Sequence, residues 1–341
     1  MKLRGLPTIN YYQSHKSMAT IWIIGAGGIA IEYTKVLKAL NKEFITIGRG
    51  YDRVVAYNEA TGIKAIEGGL DCYIMSKPEI PEFAIVAVNV EYLAATTISL
   101  LKCGVKKIFC EKPGFNDSSE LDDVVSVAKE TGAKVYYAYN RRFFASVLKA
   151  EEIIKEDGGL TSMNFEFTEW GHIIANTDHP AAVKKNWMTV NSSHVIDLAF
   201  FLGGEPAQMS SYALGELSWH KPACFVGAGV TTKGVLFNYQ ANWDAPGRWA
   251  VEFQTPQHRI YLKPMEQLQL QDKGSVKVYP VEIDDHLDKE FKPGFYLETK
   301  AFLDGETERL CSIEEQYQHI QSIYDKRIYV IDTPGMSDFY A

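Results

Sequence analysis

The sequence predicts an α/β fold in two parts. The first is a doubly wound parallel sheet, and the second is an α/β domain with a mostly antiparallel sheet open on one face. Three observations predict it. Residues 19–140 alternate short apolar runs with helical 3.6-residue patterns, joined by short turns. The first apolar run, Ile21-Trp22-Ile23-Ile24, ends in Gly25-Ala26-Gly27-Gly28, and a helical pattern follows at once. Beyond residue 160 a series of strand-like segments follow one another across short turns, as antiparallel strands do. The boundaries expected are an arm over 1–18, a first domain over 19–140 and a second over 141–341.

Size and composition bound the rest. The chain has 341 residues, 46% of them hydrophobic and 23% charged, a globular balance. A net charge of −8 argues against a broad nucleic-acid or basic membrane face. The five cysteines form no Cys-x-x-Cys pair and no zinc-like cluster, which fits a reducing compartment. Residues 1–18 lack the apolar core of a signal peptide, and no apolar run approaches the roughly 18 residues of a membrane span. A cytoplasmic protein with no nucleic-acid or membrane partner is expected. Asp284-Asp285-His286 and Thr177-Asp178-His179 are too local to complete a coordination shell, so no metal is expected.

In chain order, the glycine turn comes first. Gly25 suits a tight turn, Gly27 a close backbone approach to a pyrophosphate, and Ala30 the packing of helix on strand. Helix-start N–H groups at Gly28 and Ile29 then face an anion. A helix over Ile29–Leu40 places Tyr33, Val36 and Leu37 on one face. The strand Phe44–Ile47 ends at Gly48-Arg49. About 20 residues past such a turn, an acidic residue meets the ribose of NAD and an arginine the 2′-phosphate of NADP. Arg49 therefore points to NADP(H), with NAD(H) as the alternative. A helix over Asp52–Thr61, an unalternating strand over Phe83–Val88 and a helix over Tyr92–Lys102 come next. A strand over Lys106–Cys110, a helix to Glu130 and a strand over Lys134–Ala138 close the series.

Two motifs sit at strand ends, where ligands of such sheets bind. They are Glu111-Lys112-Pro113-Gly114 and Tyr139-Asn140-Arg141-Arg142-Phe143. With the glycine turn, and with Ala87-Val88-Asn89-Val90-Glu91-Tyr92 between, their order and spacing resemble the Gfo/Idh/MocA family of NAD(P)-dependent oxidoreductases. The resemblance runs from about Ala19 to Arg327. It implies a Rossmann domain, cofactor contacts from Val88, Asn89, Glu111 and Lys112, and a second domain whose sheet face forms a homo-oligomer, dimer or tetramer. Asn89 stands where the family usually has proline.

The second half begins with an amphipathic helix over Ala145–Lys155 and an alternating strand over Ser162–Trp170. A loop follows over Gly171–Thr189. Strands are expected at Gln208–Leu214, Cys224–Thr231, Val235–Trp243, Trp249–Gln254 and Arg259–Leu262. Ser312-Ile313-Glu314-Glu315 has capping-box spacing before a helix to about Lys326.

The catalytic stretch is Asn191-Ser192-Ser193-His194-Val195-Ile196-Asp197. A helix over Ser192–Leu202 puts His194 in its first turn, with Asp197 anchoring the helix. His194 and Asp197 match the family's Asp-x-x-x-His-x-x-Asp pattern, whereas Val190 and Asn191 stand where an aspartate is usual. Interconverting an alcohol and a ketone needs a proton transfer and positive charge at the oxygen. Lys112 polarises that oxygen and His194, titrating near neutrality, suits the acid–base role. Asn191 orients substrate. Tyr139, Arg141, Lys185 and Trp187, with Arg142 and Lys184, form a basic and aromatic rim for a sugar or nucleotide-sugar. A non-sugar carbonyl or imine substrate, or a cofactor-binding sensor or assembly protein without turnover, are the alternatives.

Overall fold

The computed structural model describes residues 21–328; the arm expected over 1–18 and the tail from Tyr329 to Ala341 lie outside the described residues. The first half alternates as its sequence directs. Strand β1 (Ile21–Ile24) leads to helix α1 (Gly28–Ala39), then β2 (Phe44–Ile47), α2 (Tyr51–Thr61) and a short α3 (Gly69–Met75). Next come β3 (Phe83–Val86), α4 (Leu93–Cys103), β4 (Lys107–Glu111), α5 (Ser119–Thr131) and β5 (Lys134–Ala138). The five strands are parallel in the order β5-β4-β3-β1-β2. Each sends alternate residues to opposite faces, and both faces are covered. Ile21, Ile23, Ile85 and Phe109 pack with Tyr33, Val36 and Leu37 of α1. Trp22, Ile24, Val86 and Ile108 pack with Leu93 and Leu100 of α4 and Leu121 of α5. Burial on two faces explains why these strands read as apolar runs without alternation.

The second half holds α6 (Ala145–Glu156), β6 (Ser162–Glu166), α7 (Gly171–Ala175), α8 (Ala181–Lys185) and α9 (Ser193–Gly203). It continues through β7 (Pro206–Leu214), β8 (Cys224–Thr231), β9 (Leu236–Asn242), β10 (Ala250–Gln254), β11 (His258–Leu262), β12 (Gln269–Asp272) and β13 (Val278–Pro280). These eight strands form one sheet in the order β13-β12-β11-β10-β6-β9-β8-β7, antiparallel except for the β6–β9 pair. One face is apolar: Phe165, Phe237, Tyr239 and Phe253 pack on Ala199 and Phe200 of α9. The opposite face is mixed. Asn164 bonds Asn238 at its centre, while Tyr212, Val226 and Leu236 are exposed toward the β7–β8 side.

The end of the described chain returns to the first sheet. After α10 (His286–Glu290), α11 (Phe295–Asp304) packs on α1, where Phe295 meets Tyr33 and Phe302 stacks on Phe109. Strand β14 (Cys311–Ser312) then pairs antiparallel with β5 and completes the sheet at that edge. Helix α12 (Ile313–His319) follows, and the Ser312 hydroxyl caps it by accepting from the Glu315 N–H at 3.2 Å. From it the Gln316 side chain donates to the Pro113 carbonyl at 2.8 Å and accepts from the Tyr139 hydroxyl at 3.2 Å.

Two expectations shift. The strand expected over Ser162–Trp170 ends at Glu166, and the chain then turns Glu169 inward until it is buried. The loop expected over Gly171–Thr189 contains α7 and α8 and ends in a π-type turn over Met188–Ser192 that runs directly into α9. His194 therefore lies inside a continuous helical run, not at a free helix start. Among the described residues no helix is long and apolar enough to cross a membrane.

Candidate active site

Two cavities meet at the carboxyl ends of the parallel strands. One, of about 430 Å³, is lined by Gly25, Ala26, Gly27, Arg49, Gly50, Val88 and Asn89 among others. The other, of about 630 Å³, is lined by Ile29, Glu111, Lys112, Arg141, Trp187, Asn191, His194 and Lys292 among others. Arg53, Val88 and Asn89 line both, so they form one cleft.

The glycine turn is built for a close approach. Gly25 has φ +121°, and a Cβ there would lie 2.2 Å from the Ala87 carbonyl oxygen, so only glycine lets β1 and β3 come together. A Cβ at Gly27 would meet only Arg53 Nη1, at 3.8 Å, and at Gly28 nothing, which leaves the start of α1 open to an anion. Ala30 is fully buried under the helix. Arg49 is exposed beyond β2 and lies 4.2 Å over the Tyr92 ring. No acidic residue replaces it at the strand end. A dinucleotide fits this half: glycines at the pyrophosphate, a helix start, and Arg49 beside the ribose position. The sequence reading missed Arg53. Its Nη1 donates to Asn89 Oδ1 at 3.1 Å, a bond a proline at position 89 could not accept.

The Glu111-Lys112-Pro113 turn ends β4. Glu111 accepts from the Tyr33 hydroxyl at 2.8 Å. Gly114 has φ +92° and lies against the Tyr137 ring, where a Cβ would clash at 1.9 Å. Lys112 Nζ donates to the Val190 carbonyl at 2.6 Å, in the π-type turn before His194. Burial, and then the charge of Arg141, bring the Lys112 ammonium down to about 7 against the pull of Glu111. His194 goes the other way from the expectation. Burial and the cations Arg141, Lys112 and Lys292 hold its imidazole well below the ordinary histidine range. Its Nδ1 is buried with no partner among the described residues, and it packs between Tyr139 and Trp249. Lys112, not His194, is the group that titrates near neutrality.

The structure gathers most of the remaining candidates. Asn191 donates to Glu169 Oε1 at 3.0 Å and Oε2 at 3.2 Å, which leaves its own Oδ1 for a ligand. Ser192 Oγ also donates to Glu169, at 2.7 Å, and Arg248 lies 3.5 Å from it. Glu169 was missed because the alternation of Ser162–Trp170 placed it on a strand. Trp187 lines the cavity beside His179, 5.3 Å between rings. Arg141 lines it too, its guanidinium 5.0 Å from the Trp249 ring and 5.7 Å from Phe144.

Four members of the expected rim do not belong to it. Tyr139 is buried and turns its hydroxyl to Gln316. Lys185 is exposed on α8 and lies outside the cavity lining. Lys184 donates to the Ala175 and Thr177 carbonyls and so closes its own loop. Arg142 is buried in ion pairs: Nε and Nη2 reach the two Asp197 oxygens at 2.9 and 2.5 Å, and Nη2 reaches Glu315 at 2.8 Å. Asp197 thus ties α9 to the end of the first sheet. Asp197, Cys311 and His319 bring ligand-type atoms within 4.8 Å of one another. The Arg142 guanidinium already occupies the carboxylate there and opposes a second cation.

Residues 19–139 match the sequence model of the Gfo/Idh/MocA oxidoreductase family, described as an NAD-binding Rossmann fold. The match spans the parallel-sheet half of the chain. The oxidoreductase class read from the sequence agrees with that description. No curated protein sequence matches the chain significantly. Solved structures of like fold cover nearly nine-tenths of it. A protein of Desulfitobacterium hafniense described as an NADPH-dependent oxidoreductase has a TM-score of 0.73 at 15% identity, over 89% of this chain and 92% of that one. A levoglucosan dehydrogenase in complex with NADH has 0.71 at 15%, over 87% and 93%. The UDP-N-acetylglucosamine 3-dehydrogenase of Acidithiobacillus ferrooxidans has 0.67 at 13%, over 88% and 94%. At these identities the likeness is one of fold.

Proposed function

We propose that the protein is an NADP(H)-preferring oxidoreductase that interconverts a hydroxyl and a ketone on a sugar or nucleotide-sugar. The observation that carries the reading is Lys112, a lysine brought to about 7 and fixed by the Val190 carbonyl in the wall of the cleft. Gly25, Gly27, Gly28, Arg49, Val88 and Asn89 would hold the dinucleotide, which supplies the two-electron redox partner. Lys112 Nζ takes the hydroxyl proton during oxidation and returns it during reduction. In its charged form it puts positive charge where the alkoxide develops. His194, kept neutral, serves as a hydrogen-bonding partner for that oxygen. The substrate is held by Asn191 Oδ1, oriented through Glu169, and by the Trp187 face. The levoglucosan and UDP-N-acetylglucosamine enzymes of like fold support a carbohydrate hydroxyl as the reacting group. The exposed apolar residues of the second sheet support a homo-oligomer, and the absence of a membrane-spanning helix among the described residues is consistent with a cytoplasmic location.

Two measurements test the reading. Fluorescence titration with NADPH and NADH gives the cofactor preference. A screen of sugars, keto-sugars and nucleotide-sugars for NAD(P)(H) turnover tests the chemistry. Failure of every candidate to turn over, with cofactor bound, would leave a binding protein instead.

A further inference from the structure

Two adjacent arginines are treated differently by this fold. Arg142 is buried and fully neutralised by Asp197 and Glu315. Arg141 is given no carboxylate among the described residues. Its Nη1 donates to Asn140 Oδ1 at 2.9 Å, and aromatic rings flank the guanidinium. Lys292 lies across the same cavity with the Phe295 ring beneath its ammonium, 4.5 Å from the centroid, and no ion pair among the described residues. Two cations held against rings and given no direct ion pair among the described residues make a receptor for an anion. We infer that the cleft takes a substrate bearing a carboxylate, a sugar acid or related polyhydroxy acid, held by Arg141 and Lys292 beside the reacting carbon. This rests on the proposed oxidoreductase reading and narrows its substrate class.

Charge and shape both favour a carboxylate. The cavity wall carries four cations, Arg53, Lys112, Arg141 and Lys292, against three carboxylates, Glu91, Glu111 and Asp178, an excess of at most one positive charge because Lys112 is brought to about 7. A monoanion balances it, whereas a phosphate group brings roughly −1.5 to −2. The flanked guanidinium offers its planar edge, which matches a planar carboxylate with two parallel hydrogen bonds. Glu266 and Glu111 pull on these cations through space but pair with neither, and Glu298 is a third carboxyl nearby. Glu298 is fully buried with neither oxygen partnered among the described residues, and burial and then Glu111 raise it well above the usual range, which weakens it as a counter-charge. The cost of crowding the cations is visible in Arg141, lowered to about 10 by burial and then by its neighbour Arg248 despite Glu266 and Glu298. A bound carboxylate relieves that cost.

The test is binding, measured by calorimetry on the cofactor-saturated protein. The probes are epimeric hexuronates, aldarates such as tartrate and galactarate, the matching neutral hexoses, glucose 6-phosphate and UDP-glucose. At least one acid is expected to bind about 10-fold or more tighter than its neutral counterpart, in line with charge-assisted hydrogen bonds. Arg141→Gln and Lys292→Gln are each expected to shrink that ratio, read as the acid's affinity relative to the neutral sugar's in the same variant. Lys292 lies in a loop, so its variant keeps the test open if Arg141→Gln does not fold. The inference is overturned if no acid binds, if neutral sugars bind as well, if either phosphate compound binds more tightly than every acid, or if both variants keep the preference. An acid that binds without turnover sustains this inference and sinks the proposed chemistry. Turnover of a neutral sugar with no preference for acids does the reverse.

Discussion

If Lys112 is the acid–base group, the pH dependence of turnover must report it. The structure brings its ammonium to about 7 through burial and then Arg141, partly opposed by Glu111. Lys292 and His194 share its cavity, and Glu169 pulls the other way. Oxidation needs the neutral amine, so kcat for oxidation rises with pH through this region, and reduction falls through it. One pH unit below the midpoint about 9% of the amine is neutral, and one unit above it about 91%, so oxidation rises roughly 10-fold across those two units. An ordinary lysine would place the same limb about three units higher. The assay is steady-state oxidation of the best substrate under saturating cofactor between pH 5.5 and 9.5. Lys112→Ala is expected to lose about 10²–10⁴-fold in kcat and the limb with it. Arg141→Gln is expected to move the limb to higher pH, because a repelling cation is gone. An unchanged limb in Lys112→Ala, or a wild-type limb where ordinary lysines titrate, would refute the assignment.

Other outcomes follow from particular contacts. Arg49→Ala weakens NADPH by roughly 10–100-fold and NADH little, by the strength of charge-assisted hydrogen bonds to a phosphate; titration of both cofactors checks this. Gly25→Ala forces a Cβ into the Ala87 carbonyl at a φ of +121°, so dinucleotide binding is lost and the melting temperature falls. Asp197→Asn leaves Arg142 short of its buried counter-charge and destabilises the fold by about 3–5 kcal/mol, measured by denaturant unfolding. Lys112→Met stabilises the fold more at pH 6 than at pH 9. The folded pKa lies below the unfolded one, so the group's contribution improves as pH rises above about 7 and its burden is full below it. Equal gains at both pH values would contradict the burial of the charge.

Local chemistry made the nucleotide-binding half legible. The glycine turn, Arg49 and the strand-end lysine each line the cleft because they close or follow strands of one parallel sheet, so their order along the chain sets their place in space. The substrate side depends on long-range packing, and there the sequence misled. Tyr139, Lys185 and Arg142 looked like rim residues because they lie near the right motifs, yet Gln316, solvent and Asp197 claim them. Glu169 read as an alternating strand residue because nothing local marks the end of β6 at Glu166. The expectation that His194 titrates near neutrality fails for the same reason. Its neighbours Arg141 and Lys292 come from segments far away in the chain, and only the fold brings their charge to bear on it.

The Gln316 bond to Pro113 spans 203 residues, and β14 covers the outer edge of β5 only when the same distant segment arrives. At a synthesis rate of about 5–20 residues per second, that interval lasts on the order of 10–40 s on the ribosome. Through it the nascent parallel sheet carries an uncovered β5 edge and a lysine turn without its distant brace. Unpaired strand edges are templates for wrong pairing. The Glu111-Lys112-Pro113 turn is therefore among the last features of this protein to mature, and its birth depends on protection of one short edge.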